Sequence, residues 1–358
     1  MTSGTVPAPR ALWIGTYPAE AAPGSGEGIW RVEIDADSGR FGPAELAVAT
    51  ASPSFLALHP SGRTLYAVAE TSPGTVAAFT VDDGRPLLSG SAPTGGEGPC
   101  HVLATDSRVW IANYGDGVAA CLRVDPSSGE LDAEQPETFT HAGSGPDRDR
   151  QDGPHAHFVA VVGEHALVAD LGTDELRRYP VDGSVSEPAV GAVLPAGTGP
   201  RHLVTLAGGA LVVVGELDAR LHVLQPAGVG WEHVAGVAAA DMTAPGGGPS
   251  FPSHVVLSDG GRLLTVGVRG ADVLAVHRVH SGGEHEPPTL EHLGDVPLGT
   301  GAWPRHHAAL DTATGVLVVV ANQGTRELVA VRLDPSSGRG DVTDRLELPT
   351  PPACVLEA

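Results

Sequence analysis

The chain has 358 residues with 43 acidic and 21 basic side chains, a formal net charge of −22, and every basic residue is Arg. That balance excludes a nucleic-acid or anionic-membrane surface, which needs a basic face, and the lack of Lys excludes Schiff-base or Ser-Lys chemistry. With 48 Gly, 31 Pro and 41% hydrophobic residues, the composition predicts many short elements joined by tight turns around a real core.

From the N-terminus, residues 1–10 read as a flexible tail, followed by an apolar strand, LWIGTY (12–17). No stretch approaches the ~18 apolar residues of a membrane span, and no basic n-region precedes a short apolar core as in a secretory signal. Two kinds of unit then alternate. The first starts at a Pro, runs through a short apolar strand, turns, and ends a second apolar strand on a polar residue. Its copies are 53–70, 99–113, 154–170, 200–216, 252–269 and 304–322. The second is a hairpin of alternating apolarity around Asp-Gly, Ser-Gly or Pro turns, as in GIWRVEIDADSGRF and ELVAVRLDPSSGRG. The C-terminal PPACVLEA (351–358) looks like a first strand lacking its second, and LWIGTY like a second lacking its first. Joined, they complete a seventh unit. The prediction is one all-β domain over 1–358, a seven-bladed β-propeller of four-stranded blades whose last blade the two termini close together.

In such a blade the innermost strand and its return neighbour bring their polar ends to one face of the central channel. One predicted ring holds His101, His155 or His157, Arg201 with His202, His254, and Arg305 with His306 and His307. The other holds Thr16 or Tyr17, Glu70, Asn113, Asp170, Glu216, Arg269 and Asn322. A funnel of convergent polar groups is the default binding site. For Asn113, Asn322, Asp170 and Glu70 ties between blades are the first reading, with substrate contact the second. Pro99, Pro154, Pro200, Pro252 and Pro304 read as scaffold that fixes φ at the start of each inner strand.

Arg201, Arg269 and Arg305 offer forked, permanently charged donors, which points to a small anionic ligand such as a carboxylate or a phosphate. The polar insertion HAGSGPDRDRQDGP (141–154) reads as a wall or lid, and the histidines after it as candidates for acid or base work. No cofactor is expected; a divalent ion near His155 and His157 with Glu70, Asn113 and Asp170 is the alternative, without HExxH or Cys-rich spacing behind it. There is no GxSxG nucleophile elbow. Three cysteines without CxxC spacing fit a reducing, cytoplasmic setting. A monomer or weak homo-oligomer is expected.

Together, PSFLALHPSGRTLYAVAE, GPCHV with IANYGDG, QDGPHAH with VADLGTDEL, GTGPRH with GEL, VGVRG, and WPRHH with VANQGT resemble, in order, the lactonase family of seven-bladed propellers. The family includes the propeller-type 6-phosphogluconolactonases and the carboxy-cis,cis-muconate cyclases. The resemblance implies a catalytic set of His155 or His157, Arg201, Glu216 and Arg269; the two channel rings add Glu70, Asn113, Asp170, His202, His254, Arg305, His306 and Asn322 as candidate substrate contacts. One departure is Gly267-Val268-Arg269, where family members often read Ser-Asn-Arg. The implied activity is lactone hydrolysis. Cyclisation of an unsaturated carboxylate to a lactone and a non-catalytic binding platform are the alternatives.

Overall fold

The computed structural model describes residues 9–18, 28–132, 135–184, 189–283 and 286–358. Seven four-stranded antiparallel sheets follow one another around a central axis. Blade 1 pairs the C-terminal strand Pro352–Glu357, innermost, with Arg10–Thr16, Ile29–Asp35 and Arg40–Val48. Blades 2 to 7 begin with inner strands Pro53–Leu58, Pro99–Ala104, Ala156–Val162, Pro200–Thr205, Phe251–Ser258 and Pro304–Thr312. Each inner strand packs against the next, and the C-terminal strand packs against that of blade 2, so the ring is closed by the two ends of the chain. Of the tail expected at 1–10, residues 1–8 lie outside the described set, and Arg10 already belongs to blade 1, paired with Glu357.

Seven apolar clusters lie among the described residues, one in each seam between neighbouring blades. This explains why second strands such as Leu211–Gly215, LVVVG, carry an unbroken apolar run: a blade is covered on both faces. Outer strands such as Gly230–Ala238 are partly or fully exposed along their whole length. At about 1.5–3 kcal/mol for each buried Val or Leu side chain, the seams supply the main force holding the ring shut.

A feature absent from the sequence pattern recurs in every blade. Just after the leading Pro or its equivalent, each inner strand slips register against its neighbour, as between Pro99 and His101, Pro304 and His306, or Pro53 and Phe55. The slip is a β-bulge: two consecutive residues oppose one partner, and both can face the channel. Pro99, Pro200 and Pro304 open their strands, whereas Pro252 is second in its strand and Pro154 precedes its own by two residues.

Candidate functional site

The glycine-rich turns before the inner strands of blades 5 and 7 are built alike. Asp174, in blade 4, accepts N–H bonds from Gly197 (2.7 Å) and Gly199 (2.8 Å). Asp272, in blade 6, does the same for Gly301 (2.7 Å) and Trp303 (2.9 Å). Gly199 sits at φ 59°, where a Cβ would meet Leu217 Cγ at 2.5 Å, so Gly is required there. Its counterpart Trp303 adopts φ 51° with a bulky side chain, a strained choice, and its ring lies 5.6 Å from the Arg269 guanidinium.

The bulges of six of the seven blades deliver a residue to the channel lining: Ser54, Cys100, His157, Arg201, Arg305 and Ala353 all border one cavity of about 10 Å³, room for about one water. The next residues along form a floor beneath it. Phe55, His101, Phe158, His202, His254 and His306 are joined by ring contacts, from Phe55–His101 at 4.4 Å to the stacked pair His254–His306 at 3.7 Å. His202 Nδ1 lies 2.7 Å from His254 Nδ1, while His101 and His306 accept N–H bonds at Nδ1 from Val159 and Val355. Burial, reinforced by neighbouring charges, lowers the pKa of His202, His254 and His306 well below the usual value and that of His101 to about 3. The floor is therefore neutral at physiological pH. Beyond it the channel widens to a second cavity of about 440 Å³ lined largely by apolar side chains such as Leu103 and Val256.

Above the floor stands an arginine cluster around one carboxylate. Glu216 Oε2 lies 2.8 Å from Arg201 Nε and 2.8 Å from Arg269 Nη2, and its Oε1 accepts from Arg150 Nη2 at 2.7 Å. Arg269 also donates through Nε to Phe251 O at 3.0 Å, which fixes its plane. Burial alone would raise the Glu216 pKa, but Arg269 and Arg201 outweigh it and hold the carboxyl well below its usual range. For Arg201, burial and then Arg269 pull the pKa down to about 9, which leaves it charged at neutral pH. Its Nη1 is buried without a hydrogen-bond partner among the described residues. Across the channel, Arg305 lies 4.8 Å over the ring of Tyr17, whose hydroxyl donates to Glu70 at 2.7 Å. Four guanidiniums against two carboxylates leave an excess of two positive charges in a chain of net charge −22.

Of the two histidines of the HxH segment, His157 borders the cavity beside Arg201. His155 sits at the rim, with Nδ1 2.7 Å from Tyr114 O, Nε2 3.3 Å from Asp152, and its ring stacked on Tyr114. The second predicted ring divides by register. Asn113, Asp170 and Asn322 pair directly with Pro99, Ala156 and Pro304, whereas Glu70, Glu216 and Arg269 each come one residue after the partner of Pro53, Pro200 and Pro252, and successive side chains point to opposite faces. Asn113 bonds the carbonyls of Val118 (2.9 Å) and Thr94 (3.4 Å). Asp170 accepts from the backbone of His155, Gly172 and Thr173 and pairs with His141 at 2.9 Å. Asn322 is fully buried. Thr16 bonds Gly28, and His307 bonds Thr265. Apart from Asn322, whose Oδ1 and Nδ2 have no hydrogen-bond partner among the described residues, these residues brace the seams and turns around the mouth rather than the arginine cluster itself.

Sequence reasoning missed Tyr114, Arg150 and Trp303. Tyr114 follows Asn113 as Glu216 follows Gly215, and only the one-residue register distinction reveals that equivalence. Among the described residues, no group of three or more His, Cys, Asp or Glu side chains has the geometry of a metal site.

Fold and site together define a channel-mouth enzyme architecture, in which buried arginines surround a single glutamate at one end of a seven-bladed propeller. The sequence matches the family described as "Lactonase, 7-bladed beta-propeller" over residues 11–356, and the chain belongs to that family. It is 30% identical to the 6-phosphogluconolactonase of Bacillus subtilis, covering 91% of this chain and 92% of that one. A protein of known structure from Lactobacillus plantarum matches with a TM-score of 0.83 at 26% identity over 98% of this chain and 100% of that one. The periplasmic gluconolactonase of Pseudomonas aeruginosa matches with a TM-score of 0.83 over 98% and 99%; at 24% identity that likeness speaks to the fold.

Proposed function

We propose that the protein hydrolyses a small anionic lactone of the sugar-acid or sugar-phosphate type. The observation that carries this reading is the uncompensated positive charge at a single mouth of an otherwise strongly acidic molecule, with buried donors aimed at one point. Arg201, through its unpaired Nη1, and Arg269 stabilise the charge that develops on the lactone carbonyl oxygen, the largest electrostatic term in acyl transfer.

Water is activated by His157. Burial and then Arg201 keep its imidazole neutral, the form that accepts a proton. The Cys100 thiol lies 3.4 Å from the His157 carbonyl and 3.8 Å from Nδ1. With the S–H on the carbonyl and Nδ1–H on sulfur, Nε2 is left to take the proton of an attacking water. Both oxygens of Glu216 are engaged by guanidiniums, so its work is to hold Arg150, Arg201 and Arg269 in place. The opened product is a hydroxy acid, so no covalent enzyme intermediate is required.

The cyclisation reading uses the same arginines to hold carboxylates and has no observation that favours it over hydrolysis. Incubating the enzyme with a phosphorylated aldonolactone and, separately, with a muconate separates the two: the account expects proton release from the lactone and no change in the muconate. We place the enzyme in the cytoplasm, supported by three free, buried cysteines, and expect a monomer or weak homo-oligomer; fractionation and light scattering test the two points.

A further inference from the structure

Arg150 differs from the other arginines of the mouth. It comes from the insertion between blades 3 and 4, not from a blade strand, and its side chain is 37% exposed against 3% for Arg201 and 7% for Arg269. Its position is nevertheless fixed. The neighbouring Gln151 is fully buried, and its side chain donates to Leu171 O at 2.9 Å and Asp174 Oδ1 at 2.8 Å, while Gly145 N and Asp147 O bond its backbone. Gly145 packs so closely that a Cβ there would meet Gln151 Cδ at 2.3 Å. Asp147 further accepts the N–H groups of Asp149 and Arg150. The insertion is thus a strap nailed down at Gln151, with Arg150 held over the mouth.

Both contacts of Arg150 use one nitrogen: Nη2 reaches Glu216 Oε1 at 2.7 Å and Tyr114 OH at 3.2 Å. Among the described residues its Nε and Nη1 make no hydrogen bond, which leaves these donors for a ligand. Glu216 already has Arg201 and Arg269 on its other oxygen, so Arg150 is a third cation on one carboxylate. Within the contact cluster, which Asp152 and Asp170 flank without joining, the surplus of two positive charges suits a phosphate monoester, which carries about −1.5 to −2 at neutral pH. A neutral lactone would leave it unmatched.

Resting on the lactonase reading above, we infer that Arg150 is the residue that selects a phosphorylated substrate. It binds the phosphate at the outer end of the lactone while Arg201 and Arg269 take the carbonyl deeper in the mouth. Glu216 Oε1 and Tyr114 hold the guanidinium ready when the site is empty of substrate.

The experiment compares wild type, Arg150→Ala and Arg150→Lys on a phosphorylated six-carbon aldonolactone and on its unphosphorylated counterpart. Arg150→Ala raises KM for the phosphorylated lactone about 10- to 100-fold more than it does for the unphosphorylated one, the range of one charge-assisted contact. Arg150→Lys recovers part of the loss, since it keeps the charge but not the fork. Equal losses on both substrates make Arg150 a structural latch and overturn the inference, as does no loss on either. Titration with inorganic phosphate decides the matter without turnover. Should wild type hydrolyse neither lactone, the proposed function falls, while weaker phosphate binding by Arg150→Ala still supports the clamp. Phosphate binding that is equal in both proteins, or absent from wild type, overturns it.

Discussion

Replacing Glu216 with Gln keeps the shape of the central side chain and removes its charge. Two of its partners, Arg201 and Arg269, are buried and each lies 2.8 Å away, so each pair is worth about 4 kcal/mol of attraction with charge centres about 4 Å apart and an effective dielectric near 20. Arg150 is more than a third exposed, and its share is discounted for solvent screening. Against this, the variant no longer bears the desolvation of a buried carboxylate, several kcal/mol. The balance is that of a buried pair broken on one side, a loss of about 3–5 kcal/mol, because two guanidiniums remain buried without a counter-charge. Thermal unfolding followed by circular dichroism should show the transition about 4–7 °C lower. Lactone turnover should fall about 100-fold as the carbonyl-binding donors lose their register. Added inorganic phosphate should restore more stability to the variant than it gives wild type, because it replaces the missing anion. A variant as stable and as active as wild type would refute the view that Glu216 organises the cluster.

Two further outcomes follow from the histidines. His157→Gln should lower kcat about 100-fold with little change in KM, whereas His155→Gln, at the rim, should stay within about 3-fold; the reverse order in steady-state kinetics would reassign the base. The buried floor predicts acid sensitivity. His101 titrates at about 3 when folded but at about 6.5 when unfolded, so the unfolded chain binds more protons between those values. Stability is complete above about pH 6.5 and declines below it, by about 1.4 kcal/mol at pH 5.5 for His101 alone and more with His202, His254 and His306. Urea midpoints at pH 7.5 and 5.5 measure this, and equal midpoints would contradict a neutral floor.

The architecture was legible because propeller blades repeat: the Pro-led inner strand and the split terminal unit are local patterns, and strand pairing preserved them. The location of Arg201, Glu216 and Arg269 was legible for the same reason. What the repeat could not convey was the bulge. One extra residue in each inner strand decides whether a polar side chain faces the channel or a seam, and a sequence shows no difference between Asn113, which bonds its own turn, and Tyr114, which reaches the mouth. Arg150 was hidden for another reason. It belongs to an insertion without a counterpart in other blades, so no periodicity placed it, and only the burial of Gln151 beside it reveals that the loop is fixed. The strain at Trp303 is likewise invisible without its counterpart Gly199 superposed in register.

The most direct test of the account is proton release from a phosphorylated aldonolactone, followed at constant pH, with wild type and Arg201→Ala side by side. The account predicts hydrolysis well above the spontaneous rate for wild type and a loss of about 100-fold or more in the variant, with its fold intact by circular dichroism. Spontaneous-rate hydrolysis with wild type, or full activity with Arg201→Ala, would contradict it.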